Sequence, residues 1–284
     1  MITCIPDDLD LSKIADSGQC FRWERQGDQH YRILHGDHCV YVRRVCDRDY
    51  EFSCDISEFE SIWKDYLDLG LDYRAIRSRI DQERDPFLWK AAEHEQGIRI
   101  LQQDPWEMLI SFIISQNKNI PAIRRSVELL CEMCGAMKTD CYGQVYYAFP
   151  TPEAVAALSE EELKACRLGY RCRYVNGAAK VLVNGELDLE ALKDADEART
   201  MAALTALNGV GRKVASCVSL FGLHHLNAFP KDVWINRVLE QEYPDGYSFD
   251  EYSPYNGVFQ QYMFAYYRGV NGSHCHGNGG VKQL

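Results

Sequence analysis

The sequence predicts an α+β fold: an N-terminal antiparallel twisted β-sheet followed by a larger all-helical region. Two patterns carry this. Between about 20 and 54, short runs rich in aromatic and β-branched residues (CFRWER, HYRILH, CVYVRRV, YEFSC) are separated by turn signals that include Gly27-Asp28 and Gly36-Asp37. Beyond about 58, apolar residues recur at helical spacing in FESIWKDYLDL, YRAIRSRI and WEMLISFIISQ, and that period persists almost to the end. A third observation fits both: 46% of the 284 residues are hydrophobic, enough for a substantial core without covalent staples.

The expected organisation is a sheet domain over 1–85, a helical domain over 86–270 and a disordered tail over 271–284. Within the helical part the pattern places helices near 105–116, 120–134, 152–157, 160–166, 171–183, 188–193, 197–206, 211–221, 232–241 and 255–268. No internal repeat interrupts it.

No run approaches the roughly 20 apolar residues of a membrane span, and the first residues, MITCIPDDLDLS, lack a signal-peptide pattern. The chain is therefore expected to be soluble, monomeric and intracellular, in the cytoplasm or nucleoid if bacterial, with the nucleus as the other option. Its 12 cysteines are scattered and read as reduced thiols; Cys131-x2-Cys134 with Cys141 is too sparse for a usual zinc site, and His274-Cys275-His276 receives no role. The net charge of −11 argues against indiscriminate binding to nucleic acid. Its acidic residues, however, concentrate in 47–83, 153–162 and 184–198, whereas Arg171, Arg173, Arg212, Lys213, Lys231 and Arg237 fall around the motifs described next, so a basic face on an acidic body is expected.

The segment 197–237 is the most informative. A helical run ends at Leu207, a tight Asn208-Gly209-Val210-Gly211 turn follows, and a second apolar helix runs from Arg212 to Phe221. Two glycines around Val210 permit positive φ and leave N–H groups uncovered at the positive end of the second helix, an arrangement that can hold a phosphate without side-chain charge. Seen alone, the turn is equally an ordinary way to pack two helices. Lys213, in the first turn of that helix, is expected to be partly desolvated near the positive helix end, which favours the neutral amine of a nucleophile; an isolated lysine there would otherwise be a surface group. Asp232, in FPKDVW, is an expected N-cap, and a carboxylate so fixed also stabilises positive charge developing on a sugar ring.

Together LxGVGxKVAxC and FPxDVWxxR resemble the helix-hairpin-helix Gly-Pro-Asp signature of base-excision glycosylases, and the lysine marks the bifunctional branch. Over nearly the whole chain the sequence is similar to 8-oxoguanine DNA glycosylase/lyases. The resemblance implies that Lys213 attacks C1′ of the damaged nucleotide in duplex DNA, with Asp232 as its catalytic partner, and that a Schiff base permits β-elimination. It implies no required cofactor, with room for a monovalent cation at the hairpin, and phosphate contact at Gly209, Val210 and Gly211. SGQCFRW, 17–23, resembles the stretch whose glycine carbonyl accepts the N7–H of 8-oxoguanine, which assigns Gly18 as discriminator; without the resemblance this glycine is ordinary turn chemistry. GVFQQYMF, 257–264, resembles the last pocket helix, with Gln260 reading the Watson–Crick edge, Phe264 stacking on the base and Cys217 as the opposite wall of a slot for a flipped base. Gln261 is out of register for that reading, and Phe264 taken alone would be core. Asn117 matches the residue that fills the hole left by the extruded base, while Tyr170 and Arg171 match a wedge aromatic and a cytosine-reading arginine.

Two departures from the family pattern matter. A second cytosine-reading arginine falls on Ala122, so opposite-base preference is expected to be relaxed, and a histidine after the catalytic aspartate is replaced by Trp234. The iron–sulfur branch is excluded because only Cys275 lies beyond Cys217. An alkylated-base glycosylase, which has no use for Lys213, and a non-catalytic hairpin module that only binds DNA remain as rivals.

Overall fold

The computed structural model describes residues 1–272, and the tail expected over 271–284 therefore lies outside the described residues apart from its first two positions. Five antiparallel strands, β1 (Ile2–Cys4), β2 (Trp23–Gly27), β3 (His30–His35), β4 (His38–Arg44) and β5 (Asp49–Phe52), form a sheet in the order β1-β5-β4-β3-β2. The Gly36-Asp37 pair closes a two-residue β3–β4 hairpin in which His35 faces His38, and Gly36 takes φ +56° there. A register shift between Arg25 and Gly27 marks a bulge at the β2–β3 turn. Strand β1 has only three residues and was not expected.

The helices begin where side chains can satisfy free N–H groups. Helix α1 (Leu11–Asp16) is capped by Asp10, α2 (Pro105–Ser115) by Asp104, α3 (Ile120–Cys134) by Asn119 and α5 (Glu197–Thr205) by Asp196. α4 (Cys172–Val183) instead follows a 3-10 turn over Gly169–Arg171. The remaining helices of interest are α6 (Arg212–Phe221), α7 (Val233–Glu242) and α8 (Asn256–Gly272). The helix expected at 188–193 is reduced to a 3-10 turn at Glu190–Leu192.

The expectation of an all-helical second region needs correction. A short hairpin, β6 (Met137–Thr139) with β7 (Val145–Tyr147), follows α3 and folds back onto the N-terminal sheet. The Tyr146 hydroxyl donates to the Asp37 carbonyl (2.8 Å), Asp140 accepts from the Tyr41 hydroxyl (2.8 Å) and pairs with Arg32 (3.1 Å), and Arg22 donates to the Tyr147 carbonyl. This cover explains why β3 does not alternate: its four central residues, Tyr31–Leu34, are all buried.

Two apolar cores result, one under the sheet and one among the helices, and each borrows from the other's segment of chain. Phe21 packs into the helical core, and Leu101 into the sheet core. Arg99 fastens the junction although it is fully buried. Its guanidinium donates to the carbonyls of Leu67 (3.2 Å), Asp8 (3.0 Å), Asp68 (2.6 Å) and Leu71 (2.6 Å), pairs with Asp7 (3.0 Å) and lies 4.2 Å over the Tyr73 ring. Removing such a group leaves several buried acceptors and a carboxylate without their donor. Arg99→Met is expected to lower unfolding free energy by about 3–5 kcal/mol in urea titrations; a loss below about 1 kcal/mol would show that water replaces the guanidinium.

Candidate active site

The Asn208–Gly211 turn joins α5 to α6 as the sequence suggests, but its glycines do different work. Gly209 has φ +85°, and a Cβ there would fall 2.3 Å from the Tyr174 ring, so the position is both left-handed and closely packed. Gly211 is extended (φ −88°, ψ 176°) with open space where a Cβ would sit, and α6 carries no side-chain cap. Its first N–H groups therefore open onto the surface beside a bare backbone, as an approaching phosphate requires. The Gly209 carbonyl accepts from Gln116 Nε2 (3.0 Å), and the Leu207 carbonyl from the Val210 N–H (3.0 Å).

Around this turn Arg173, Arg212, Lys213, Lys231 and Arg237 are exposed, and none of them is ion-paired among the described residues. Four instead lie over rings: Arg173 over Tyr174 (4.9 Å), Lys213 over Phe112 (6.0 Å), Lys231 over Phe249 (5.3 Å) and Arg237 over Trp234 (5.2 Å). Arg212, Lys213 and Lys231 line one open pocket, whereas Arg171 is buried. Trp234, where the family pattern has a histidine, also packs 6.3 Å from Tyr267 and so serves as a platform for Arg237.

One small cavity gathers most of the expected pocket residues. Gly18, Lys213, Cys217, Asp232, Gln260 and Phe264 all line a space of about 60 Å³, together with Ser17, Phe112, Phe221, Pro230 and Gln261. Asp232 caps α7, its Oδ1 accepting from the Ile235 N–H (2.8 Å). Cys217 is buried, and that burial pushes its thiol up to about 11 against the opposing pull of Lys213, so it presents a neutral, soft wall. Lys213 differs from expectation. It is exposed at the cavity mouth, its Nζ 6.0 Å from the Phe112 ring centre, so the desolvation anticipated for it must come from a ligand that covers the mouth.

Gly18 reaches the cavity because the residues beside it are clamped. Gln19, fully buried, donates from Nε2 to Ser17 Oγ (2.9 Å) and to the Arg99 carbonyl (2.9 Å), and its Oε1 accepts from the Leu101 N–H (2.9 Å). Gln103 Nε2 donates to the Gln19 carbonyl (2.8 Å). Held this way, Gly18 adopts φ +79° with its Cα facing the edge of Phe264, 3.6 Å from where a Cβ would be. Sequence reasoning quoted Gln19 only as part of a motif; its polarity within an otherwise apolar neighbourhood was the available signal.

These residues converge from both parts of the chain. A family model described as 8-oxoguanine DNA glycosylase, N-terminal domain, matches residues 1–109, and one described as HhH-GPD superfamily base excision DNA repair protein matches residues 110–245. The chain belongs to the 8-oxoguanine glycosylase family of the HhH-GPD superfamily. It is 40% identical over 262 residues to the N-glycosylase/DNA lyase of Saccharomyces cerevisiae, a match that takes in 83% of this chain and 69% of that protein. With the N-glycosylase/DNA lyase of Arabidopsis thaliana it shares 33% over 238 residues, 80% of this chain and 65% of that protein, so it spans about two thirds of these relatives. Among solved structures, the Clostridium acetobutylicum 8-oxoguanine glycosylase/lyase bound to duplex DNA with cytosine opposite the lesion superposes with a TM-score of 0.87 at 34% identity, over 95% of this chain and 98% of that one. The 3-methyladenine DNA-glycosylase of Archaeoglobus fulgidus shares the fold at 19% identity (TM-score 0.73, 95% of this chain and 98% of that one).

The second group of expected residues in this 8-oxoguanine glycosylase family member lies apart from the cavity, at the α2–α3 loop. Asn117 is exposed with φ +51°, and its Nδ2 donates to the hydroxyl of Tyr170 (3.2 Å), which is 49% exposed and packs edge-on against Tyr174. Arg171 is the exception. Only 6% exposed, it donates to the Leu168 carbonyl (3.1 Å) and the Gln116 carbonyl and stacks 4.3 Å from the Tyr170 ring, so without DNA it braces the loop rather than offering its fork to solvent. Ala122 is exposed in the first turn of α3 with nothing to offer a base but its methyl.

The two hairpin glycines give a paired prediction. Gly209→Ala is expected to cost about 1–3 kcal/mol in denaturant unfolding because the Tyr174 ring must shift. Gly211→Ala is expected to stay within about 0.5 kcal/mol of the parent yet to weaken duplex binding in fluorescence anisotropy; equal affinity would remove the hairpin from the DNA interface.

Proposed function

We propose that this chain is a bifunctional DNA glycosylase/AP lyase that removes 8-oxoguanine from duplex DNA. The observation that carries the reading is the convergence of Lys213 and Asp232 on the same cavity as Gly18, Gln260 and Phe264, beside an uncapped hairpin with unpaired cations. A flipped nucleotide enters that cavity, and covering of the mouth by DNA strips water from Lys213. The Nζ lone pair then attacks C1′; the glycosidic C–N bond breaks, its electron pair leaves with the base, and the base takes up a proton. The Asp232 carboxylate, at the N-terminus of α7, stabilises the positive charge that develops on the sugar. The adduct's nitrogen loses a proton and its lone pair then expels O4′: the C1′–O4′ bond breaks, O4′ takes up a proton, and a protonated imine joins Nζ to C1′. Loss of a C2′ proton and departure of the 3′ phosphate complete β-elimination without a cofactor.

The lesion differs from guanine at N7, where it carries a hydrogen. Against Gly18, normal guanine would set a lone pair facing the backbone acceptor and leave both unpaired, a loss in a closed pocket that hydrogen-bond discrimination can exploit. Opposite the lesion, Ala122 and the occupied Arg171 support weak discrimination among partner bases.

Borohydride trapping on a duplex carrying 8-oxoguanine tests the chemistry. A covalent adduct is expected from the parent and none from Lys213→Gln; no adduct from either would instead favour a monofunctional alkylated-base glycosylase or a module that only binds DNA. Excision rates opposite C, T, G and A are expected to agree within about tenfold, one lost base contact in transition-state terms. A preference for C steeper than about a hundredfold would require an arginine reader after all.

A further inference from the structure

The pocket contains a polar group that the reading above does not use. Gln261 is 3% exposed and lines the cavity beside Gln260, and its Oε1 is buried with no hydrogen-bond partner. A buried carbonyl-type oxygen left without a donor is costly, and such an atom in a ligand cavity points to a donor on the ligand.

The identity of that open atom follows from its neighbours rather than from how an amide happens to be drawn. The Pro230 carbonyl can only accept, so Gln260 turns Nε2 towards it (2.9 Å). Gln260 Oε1 then needs a donor and receives one from Gln261 Nε2 (3.0 Å). Gln261 is left presenting oxygen. Reversing either amide would set two acceptors or two donors face to face. The chain of groups thus ends in two neighbouring acceptors, the second lone pair of Gln260 Oε1 and the unpartnered Gln261 Oε1.

We propose that Gln261 is a second reader of the flipped base, with its Oε1 accepting from the exocyclic 2-amino group while Gln260 Oε1 accepts from N1–H. These two donors sit side by side on the Watson–Crick edge of a guanine-type base and on no other common purine; adenine offers a ring lone pair and a C–H there. Gln261 therefore selects for the guanine skeleton, and Gly18 for its oxidation. The inference rests on the proposed excision of 8-oxoguanine.

The test compares duplexes that carry either 8-oxoguanine or 8-oxohypoxanthine opposite cytosine under single-turnover conditions. The second base keeps the 8-oxo group, N7–H and N1–H and lacks only the 2-amino group. The parent is expected to excise 8-oxoguanine at least about tenfold faster, since the analogue leaves Gln261 Oε1 unpaired. In Gln261→Met, which keeps the bulk and removes the acceptor, that ratio is expected to collapse towards one. Equal rates for the two bases in the parent would overturn the proposal whether or not the variant folds, and so would an unchanged ratio in Gln261→Met, which would leave Gln261 as a mere support for Gln260. Excision of neither base by the parent would overturn the proposed function itself, and this inference with it.

Discussion

The site depends on one buried junction, the contact between Gln19 and the backbone of 99–101. The Arg99 carbonyl and the Leu101 N–H hold the Gln19 amide, while the side chain of Arg99 reaches the opposite way to gather the carbonyls of Leu67, Asp68 and Leu71. A single short segment therefore ties the sheet's connections to the strand of chain that carries Gly18. This matters because Gly18 and Lys213, the proposed discriminator and nucleophile, come from different parts of the fold. A shift of about 1 Å between them would misalign a hydrogen bond whose useful range is only a few tenths of an ångström. Burying a guanidinium is expensive, and here five oxygen partners offset the cost while making the arrangement hard to deform.

The acidic balance of the chain is compatible with a DNA-binding face because charge works locally. Some acidic residues elsewhere are engaged with their own arginines and lysines, as in Arg77–Asp8 and Lys138–Asp37 (2.9 Å), whereas Arg173, Arg212, Lys213, Lys231 and Arg237 are left to solvent or to aromatic rings. At physiological ionic strength the field of distant carboxylates is screened within about 8 Å, so the near cations and the free N–H groups of α6 dominate what a phosphate meets.

Much of the fold was legible because its signals are local. Strands β2–β5 follow from turn dipeptides and aromatic runs, and the main helices from period and caps such as Asp104 and Asp232. The β6–β7 hairpin escaped because each strand has three residues, too few for a period, although Gly143 between them, with φ +78°, was a turn signal. The pocket was legible only through resemblance: residues 18, 213, 232 and 264 have no spacing in common and meet solely through packing. Charge misled at Arg171, since an arginine beside an exposed tyrosine reads as surface until the Gln116 and Leu168 carbonyls are seen to hold it. Gln261 was set aside by helical register, which assumes that a pocket addresses one face; adjacent residues differ by about 100° around a helix, and this cavity spans that angle.

The cavity's size adds a constraint on how it is used. At about 60 Å³ it falls well short of the several hundred Å³ of a formed ligand site, so a purine cannot enter until something moves. The candidates are few, because Gly18 is clamped through Gln19, Cys217 lies within α6 and Asp232 is held by its cap. Phe264, partly buried where Gln260 to Met263 are buried, and the Gln260–Gln261 pair are the lining side chains that α8 contributes, and they can turn about their χ angles. Opening the slot therefore falls to the same side chains that would stack on the base and read its edge. A base that supplies the missing donor to Gln261 and a face for Phe264 recovers the cost of that movement, and one that lacks either leaves the pocket open but unsatisfied. On the proposed reading, selection in such a site acts on entry as well as on chemistry: bases without the guanine edge leave Gln261 unpaired and return to the stack, while undamaged guanine is left to be rejected at Gly18.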